Sequence, residues 1–383
     1  MKGMVAGWLC VICGVATSPL QAAEVTIPSP PQVEARNYTL MDYATGQTLA
    51  DFKGNERMEP ASLTKLMTAY IVFHALRDGR LKLADPITIS EHAWRAEGSR
   101  SFVQVGTQVP AEVLIKGMIV QSGNDASIAL AERLGGTEPA FVEIMNTWAK
   151  RLGMTGSHFD DATGLPTANT YTTAHDMAVL AGALIREFPE YYPWFSLREF
   201  VWNNIKQQNR NGLLGRDPTI DGLKTGHTDA AGYCLVASAK HDNTRLIAVV
   251  GGAKSFKGRE DASAALLNYG FTFYETVNVK KRGDVVLKPR VYKGSEEFVG
   301  VAPATDVIVT VPRGAGSQGI ETTAGVHPRL MAPLDTRTAV GQLQVSVAGK
   351  PVTSVPLYPV KSIPEGGLWS RMSDTVLLWL HKQ

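Results

Sequence analysis

Ser62 and Lys65, three residues apart in Glu59-Pro60-Ala61-Ser62-Leu63-Thr64-Lys65, are the pair in this chain best suited to chemistry. Leu63, Leu66, Met67, Tyr70, Ile71 and Phe73 supply an apolar face that predicts a helix from Ser62 to about Arg77. Pro60 suits the approach to its first turn, where a missing N–H costs nothing. On such a helix Lys65 comes round to the side of Ser62 one turn later. A serine there has what a nucleophile needs. Free N–H groups of the first turn can hold an oxyanion, and the amine is a base once burial and neighbouring cations lower its pKa. The same residues also suit a capping serine and a solvated lysine, so the pair alone decides nothing.

Two later stretches bear on that choice. Ser122-Gly123-Asn124 falls on a junction between helical patterns, where a hydroxyl and an amide can project into a cleft. Lys224-Thr225-Gly226 opens a strand, and Gly226 lets a ligand approach the backbone. Each has an ordinary structural reading: a cap with a turn asparagine, and an edge-strand lysine. Together, Ser-x-x-Lys, then Ser-x-Asn, then Lys-Thr-Gly is the signature of active-site serine enzymes that handle penicillin. No His-x-x-x-His, carboxylate pair or cysteine cluster argues for a metal, and no cofactor is expected.

With these motifs the chain resembles the low-molecular-mass penicillin-binding proteins, the D-alanyl-D-alanine carboxypeptidases of the penicillin-binding protein 5/6 type (peptidase family S11). PASLTKLMTAY, QSGNDAS, GLKTGHTDAAGYCLVASA and KGRE carry the resemblance, which extends over essentially the whole chain. It implies a penicillin-recognising, transpeptidase-like (β-lactamase-like) α/β domain with a helical lobe, then a small all-β domain and an amphipathic helix. It implies Ser62 as the acylated nucleophile, Lys65 as its base, and Ser122 as the relay of a proton to the leaving group. Asn124 would hold the substrate backbone and orient Lys65. Lys224 would supply charge across the cleft, and Thr225 would help bind the terminal carboxylate beside Gly226. The implied oxyanion hole is the backbone N–H of Ser62 and of His227. Arg210 and Arg259 would frame the carboxylate pocket, and Asp176 matches an aspartate near the end of a loop bordering the cleft. Departures are small: Ala126-Ser127 stands where the best-known relative has alanine-cysteine, and the loop before Lys224 is a residue shorter.

The residues themselves agree with that chemistry. A D-Ala-D-Ala terminus offers an amide to cleave and a carboxylate to anchor; Lys224 and Arg259 suit the carboxylate, and their field favours a neutral Lys65. For the His227 side chain a structural role is preferred, because Lys65 already fills the place of base.

The elements that must position these groups follow from pattern. Tyr38 to Ala50 reads as a hairpin turning at Gly46, and 91–109 as a polar loop region. Helices are expected from Pro110 to Ile119, from Ala126, from Glu138 to Leu152, from Tyr171 to Phe188 (capped by Thr172 or Thr173) and from Arg259 to Phe273. Strands are expected at Leu223–His227, Tyr233–Ala239 and Leu246–Val250. Hairpin in front and strands behind predict a sheet assembled from both ends of one domain, with a helical lobe inserted. Leu343, Val345 and Val347 alternate with Gln344 and Ser346, as on a sheet with one wet face.

Expected boundaries are 1–23 for an export signal, 24–281 for the catalytic domain, 282–362 for a β domain and 363–383 for the amphipathic helix. The first rests on Lys2, the apolar run from Met4 to Val15, and Ala22-Ala23. Once it is removed Cys234 is the only cysteine, so no intramolecular disulfide is expected. A formal charge of +2 over 383 residues gives nothing broad and basic for nucleic acid. After Gly366-Gly367, Trp369, Met372, Val376 and Leu380 share one helical face while Ser370, Asp374 and His381 lie away from it. Two tryptophans favour the membrane interface over packing on protein, and the stretch is too short and charged to span. The expected place is therefore the periplasm, on the outer face of the inner membrane.

The expected partners are peptidoglycan stem pentapeptides ending in D-Ala-D-Ala and, as covalent inhibitors, β-lactams. Rival functions are a D,D-endopeptidase on wall crosslinks, a class A-like β-lactamase and a non-enzymatic wall-binding scaffold. The β-lactamase is disfavoured because 159–173 carries Asp160 and Asp161 but no glutamate for a deacylating water.

Overall fold

The computed structural model describes residues 27–315 and 319–380. The expected export signal and His381 lie outside the described residues. A five-stranded antiparallel sheet organises the first domain, in the spatial order Thr48–Phe52, Asn37–Asp42, Thr244–Ala253, Gly232–His241, Ile220–Thr228. The front hairpin thus pairs directly with the last strand of the domain, Leu40 facing Ala248, and the sheet does close from both ends of the domain. Its strands are apolar on both faces. Leu235, Ala237, Leu246, Ala248 and Val250 pack beneath the Phe256–Phe273 helix, while Cys234, Val236, Ile247 and Val249 face the helical lobe.

The centre of the lobe is the Lys65–Arg77 helix. Every residue from Lys65 to Leu76 is buried, so the helix is a core element rather than the half-exposed one its apolar face predicts. That position buries Lys65 with it. Around it stand the helices Ala111–Val120, Asn124–Gly135, Glu138–Arg151 and Ala174–Glu187.

Local differences have local causes. The Phe256–Phe273 helix starts ahead of Arg259 because the Ser255 hydroxyl accepts from the Gly258 N–H at 3.0 Å. The helix expected from Tyr171 begins at Ala174: Thr173 caps it, while Tyr171 and Thr172 form β-bridges to His158 and Met58. The expected loop 91–109 contains a short helix, Glu91–Trp94, capped by Ser90, and its end joins a strand, Gln108–Pro110. A short hairpin, Glu199–Trp202 with Ile205–Gln208, turns on Asn203 and Asn204 at φ +49° and +61°.

The second domain is all β. Its main sheet runs Val301–Pro303, Lys350–Pro359, Gly341–Val347, Ile320–Val326, over a core that includes Val301, Leu343, Val345, Leu357 and Ile363. Leu343 and Val345 point inward and Gln344 outward, as the alternation predicts. The strand Tyr274–Lys280 leaves the catalytic domain and pairs with Val307–Pro312. Asp42 ties the two domains at this crossing, accepting from Thr276 Oγ1 at 2.7 Å, and Thr45 Oγ1 lies 2.7 Å from Thr310 Oγ1. A terminal helix, Leu368–Leu380, follows.

Candidate active site

Ser62 lies in a 3-10 turn, Ala61–Thr64, and the α-helix proper starts at Lys65. The chain enters through Ala61 at φ +48°, and the turn that follows it is 3-10, so the α-helix begins three residues after the Ser62 start that the apolar face predicts. Gly164 makes room for this entry: a Cβ there would fall 1.7 Å from the Ala61 carbonyl oxygen.

Lys65 is 1% exposed, and its Nζ has three oxygen neighbours: Ser62 Oγ at 3.0 Å, Asn124 Oδ1 at 2.6 Å and Thr163 O at 2.6 Å. Two of these are pure acceptors. Asn124 cannot be turned round, because its Nδ2 donates to Glu97 O at 2.6 Å. A neutral Lys65 therefore gives its two N–H groups to Asn124 and Thr163 and points its lone pair at the Ser62 hydroxyl. Burial lowers its pKa to about 7; Asp161 and Asp125 resist the shift, and Arg210 adds to it.

Ser122 and Lys224 form a second pair. Lys224 is buried and donates to Ser122 Oγ and to Thr225 O, both at 2.9 Å. Ser122 sits in the left-handed region at φ +66°, a strained conformation for a serine, between the two helices that predict a cleft junction. Burial drives the Lys224 pKa well down, helped by the charges of Lys65, Arg210 and Arg259.

Lys224, Thr225, Gly226 and His227 lie on Ile220–Thr228, the edge strand of the sheet, so alternate backbone groups there have no neighbouring strand. A Cβ on Gly226 would lie 2.9 Å from Pro60 O, so glycine brings this strand against the nucleophile turn. The His227 ring is exposed, stacks on Tyr233 with centroids 3.9 Å apart, and meets Gly232 O through Nδ1 at 3.1 Å.

The two arginines divide. The Arg210 guanidinium makes no protein hydrogen bond or ion pair among the described residues, and the residue is exposed, free to meet an anionic ligand. Arg259 is buried and donates to Gly226 O and Arg210 O, both at 3.2 Å. It braces the edge strand from behind instead of lining an open pocket, and burial lowers its pKa to about 10. Asp176 accepts from the Gly156 N–H and the Ser157 hydroxyl, at 2.9 and 2.7 Å, tying the start of the 156–172 loop to its closing helix.

Supporting residues to which the motifs assign no role complete the site. Asp161 accepts from Thr163 N–H, Thr163 Oγ1 and Gly164 N–H, all at 2.6 Å, and so fixes the carbonyl that Lys65 uses. Asp-Ala-Thr-Gly is a turn signal in the sequence, but nothing in it says where the carbonyl points. Asp125 holds Ser101 N–H at 2.8 Å, pinning the 97–103 segment beside Asn124. Among the described residues no group of three His, Cys, Asp or Glu side chains is placed to hold a metal.

The sequence of residues 24–255 matches the peptidase S11 family model, described as D-alanyl-D-alanine carboxypeptidase, and 274–365 match the penicillin-binding protein 5 C-terminal domain. The chain belongs to the serine D-alanyl-D-alanine carboxypeptidases of family S11. It is 40% identical to D-alanyl-D-alanine carboxypeptidase DacA of Escherichia coli (strain K12) over 93% of this chain and 90% of that protein. It is 39% identical to DacC of the same organism over 100% of this chain and 96% of that protein. The solved penicillin-binding protein 5 of Haemophilus influenzae superposes with a TM-score of 0.84 at 40% identity, covering 88% of this chain and 100% of that one. An S11 fold, an α/β penicillin-recognising domain followed by an all-β domain, is therefore what positions the site.

Proposed function

We propose that this S11 carboxypeptidase removes the terminal D-alanine from peptidoglycan stem pentapeptides through an acyl-enzyme on Ser62, and that penicillins acylate the same oxygen. The observation that supports it most is the Lys65 amine, buried, near-neutral and aimed by two fixed acceptors at Ser62 Oγ. Ser62 Oγ attacks the carbonyl of the penultimate D-alanine as Lys65 takes its proton. The oxyanion meets the backbone N–H groups of Ser62 and His227, an arrangement worth several kcal/mol when preorganised. Ser122, hydrogen-bonded to Lys224, relays the proton that Lys65 took on to the departing amine, which leaves as D-alanine and returns Lys65 to its neutral form. Lys224, Thr225 and Arg210 hold the terminal carboxylate during this step. Water then attacks the ester, with Lys65 again as base, and Ser62 is regenerated.

Mass spectrometry of purified muropeptides after incubation tests this reading. The expected product is a tetrapeptide with one D-alanine released, absent with Ser62→Ala. Cleavage confined to crosslinks would assign a D,D-endopeptidase; rapid penicillin turnover without D-alanine release would assign a β-lactamase; a folded protein that fluorescent penicillin does not label would favour a scaffold.

We further propose that the chain is exported through residues 1–23 and lies on the outer face of the inner membrane through the Leu368–Leu380 helix. Leu368, Trp369, Met372, Val376, Trp379 and Leu380 of that helix are exposed. No helix among the described residues is long and apolar enough to cross a membrane. Signal-dependent fractionation and co-sedimentation with lipid vesicles test the two parts separately.

A further inference from the structure

The terminal helix meets the β domain with the opposite face from an ordinary packed helix. Trp369 is 85% exposed, whereas Asp374 is 5% exposed and is the buried residue of the helix. One Asp374 carboxylate oxygen accepts from Arg290 at 3.2 Å and the other from the Lys293 N–H. Arg290 is held in turn by Glu297 at 3.0 Å. One turn earlier Ser370 Oγ donates to Gly294 O at 3.1 Å, and the Gly366 N–H donates to Lys293 O at 2.8 Å. Gly366 must be glycine for this approach, since a Cβ there would fall 2.4 Å from Gly294 O. The contacts that seat the helix are therefore polar, and they centre on a buried carboxylate. A carboxylate is stable in such a place only when its oxygens are paired, so the geometry is specific to this one seating.

We infer that Asp374 is a latch that locks the helix onto the β domain with its apolar face outward, so that the protein meets a lipid bilayer as one rigid body. This inference rests on the proposal that the helix lies on a membrane. The bilayer is the occupant that fits. The apolar face is left uncovered by the described residues, and Lys293 and Arg371 (the latter paired with Glu365 at 3.0 Å) sit beside Leu368, Trp369, Met372 and Val376, so that Lys293 above all can meet anionic headgroups. The β domain is tied to the catalytic domain through Asp42 and Thr45, so the latch sets the height and tilt of the Ser62 cleft above the lipid. A helix on a free tether would set neither.

The test uses the mature full-length chain carrying nitroxides at Thr375→Cys on the helix and Gln344→Cys on the β domain. Electron–electron distance measurement in solution is expected to give one narrow distribution, broadened at least about twofold by Asp374→Ala and less by Asp374→Asn, whose Oδ1 can still accept from the Lys293 N–H. A narrow distribution in Asp374→Ala would overturn the latch. The second arm uses phosphatidylcholine–phosphatidylglycerol vesicles. Wild type and Asp374→Ala are both expected to co-sediment, because the apolar face is untouched. D-Alanine release from a pentapeptide anchored to those vesicles by a lipid tail is expected to fall at least about fivefold in Asp374→Ala, with release from the free pentapeptide unchanged. An unchanged rate on the anchored peptide would overturn the orienting role. Failure of wild type to bind vesicles would overturn the membrane reading and leave the distances to decide the latch.

Discussion

Lys65 shows how one side chain acquires its chemistry from its surroundings. Its neighbours accept hydrogen bonds but do not neutralise a charge at close range, so burial dominates and the pKa falls to about 7. The neutral amine is the base, so the second-order rate of acylation by benzylpenicillin should rise with pH through a midpoint near 7 and level off above it. Lys65→Ala should lower the plateau by about 10²–10⁴-fold, the usual contribution of a positioned base. Near-normal acylation of that variant at neutral pH would give the role to another group. Ser62→Ala should show no penicillin adduct by intact-protein mass spectrometry, with a melting curve close to wild type; an adduct on a different serine would refute the assignment. Ser62, Lys65, Ser122, Asn124 and Lys224 were legible because their side chains carry the motif, and they do come together. Thr163 was not, because it acts through its carbonyl, which any residue possesses. Arg259 was legible as a cation near the site but not as a buried brace, since burial depends on the helix behind the sheet.

Among the elements, those with a strong period were readable and those set by tertiary contact were not. Leu246 to Val250 could be read as a strand buried on both faces, and the Glu138–Arg151 helix from its apolar spacing. The Asn203-Asn204 hairpin had a usable signal, since paired asparagines favour the left-handed turn that joins two short strands. The left-handed entry to the nucleophile turn had none: Ala61 at φ +48° is packed against Gly164, about a hundred residues away. That packing is directly testable. Gly164→Ala would place a methyl group against the Ala61 carbonyl at a residue whose own φ is +81°. The left-handed conformation alone costs an alanine about 1–2 kcal/mol, and the clash adds to it. The variant should therefore melt several degrees lower, and its penicillin acylation should slow because the turn carrying Ser62 must move. Wild-type acylation in a folded Gly164→Ala protein would separate this contact from catalysis.

Over the whole molecule, the β domain and terminal helix decide where the chemistry happens rather than what it is. Among the described residues the site draws no side chain from beyond Arg259, and the contacts between the domains include those of Asp42 and Thr45 and of Arg313 with Phe271 O and Tyr274 O. Removing the helix should therefore leave catalysis alone if the cut spares the β core. The strand pattern placed the end of that domain near residue 362, and the structure carries it slightly further: Ile363 is fully buried and pairs with Leu334, and Glu365 bridges to Gly294. A chain ending at Glu365 keeps both contacts and loses the Asp374 latch together with the exposed tryptophans. It should melt within a few degrees of the full-length protein and release D-alanine from a short soluble pentapeptide within about twofold of its rate, yet no longer sediment with vesicles. A chain ending at Lys361 should melt lower, because the Ile363 position in the β core is left as a cavity, at about 2–5 kcal/mol for an aliphatic side chain of that size. Continued vesicle binding by the Glu365 truncation would move the membrane contact from the helix to the β domain, whose exposed Leu287, Phe298 and Val360 would then be the residues to change next.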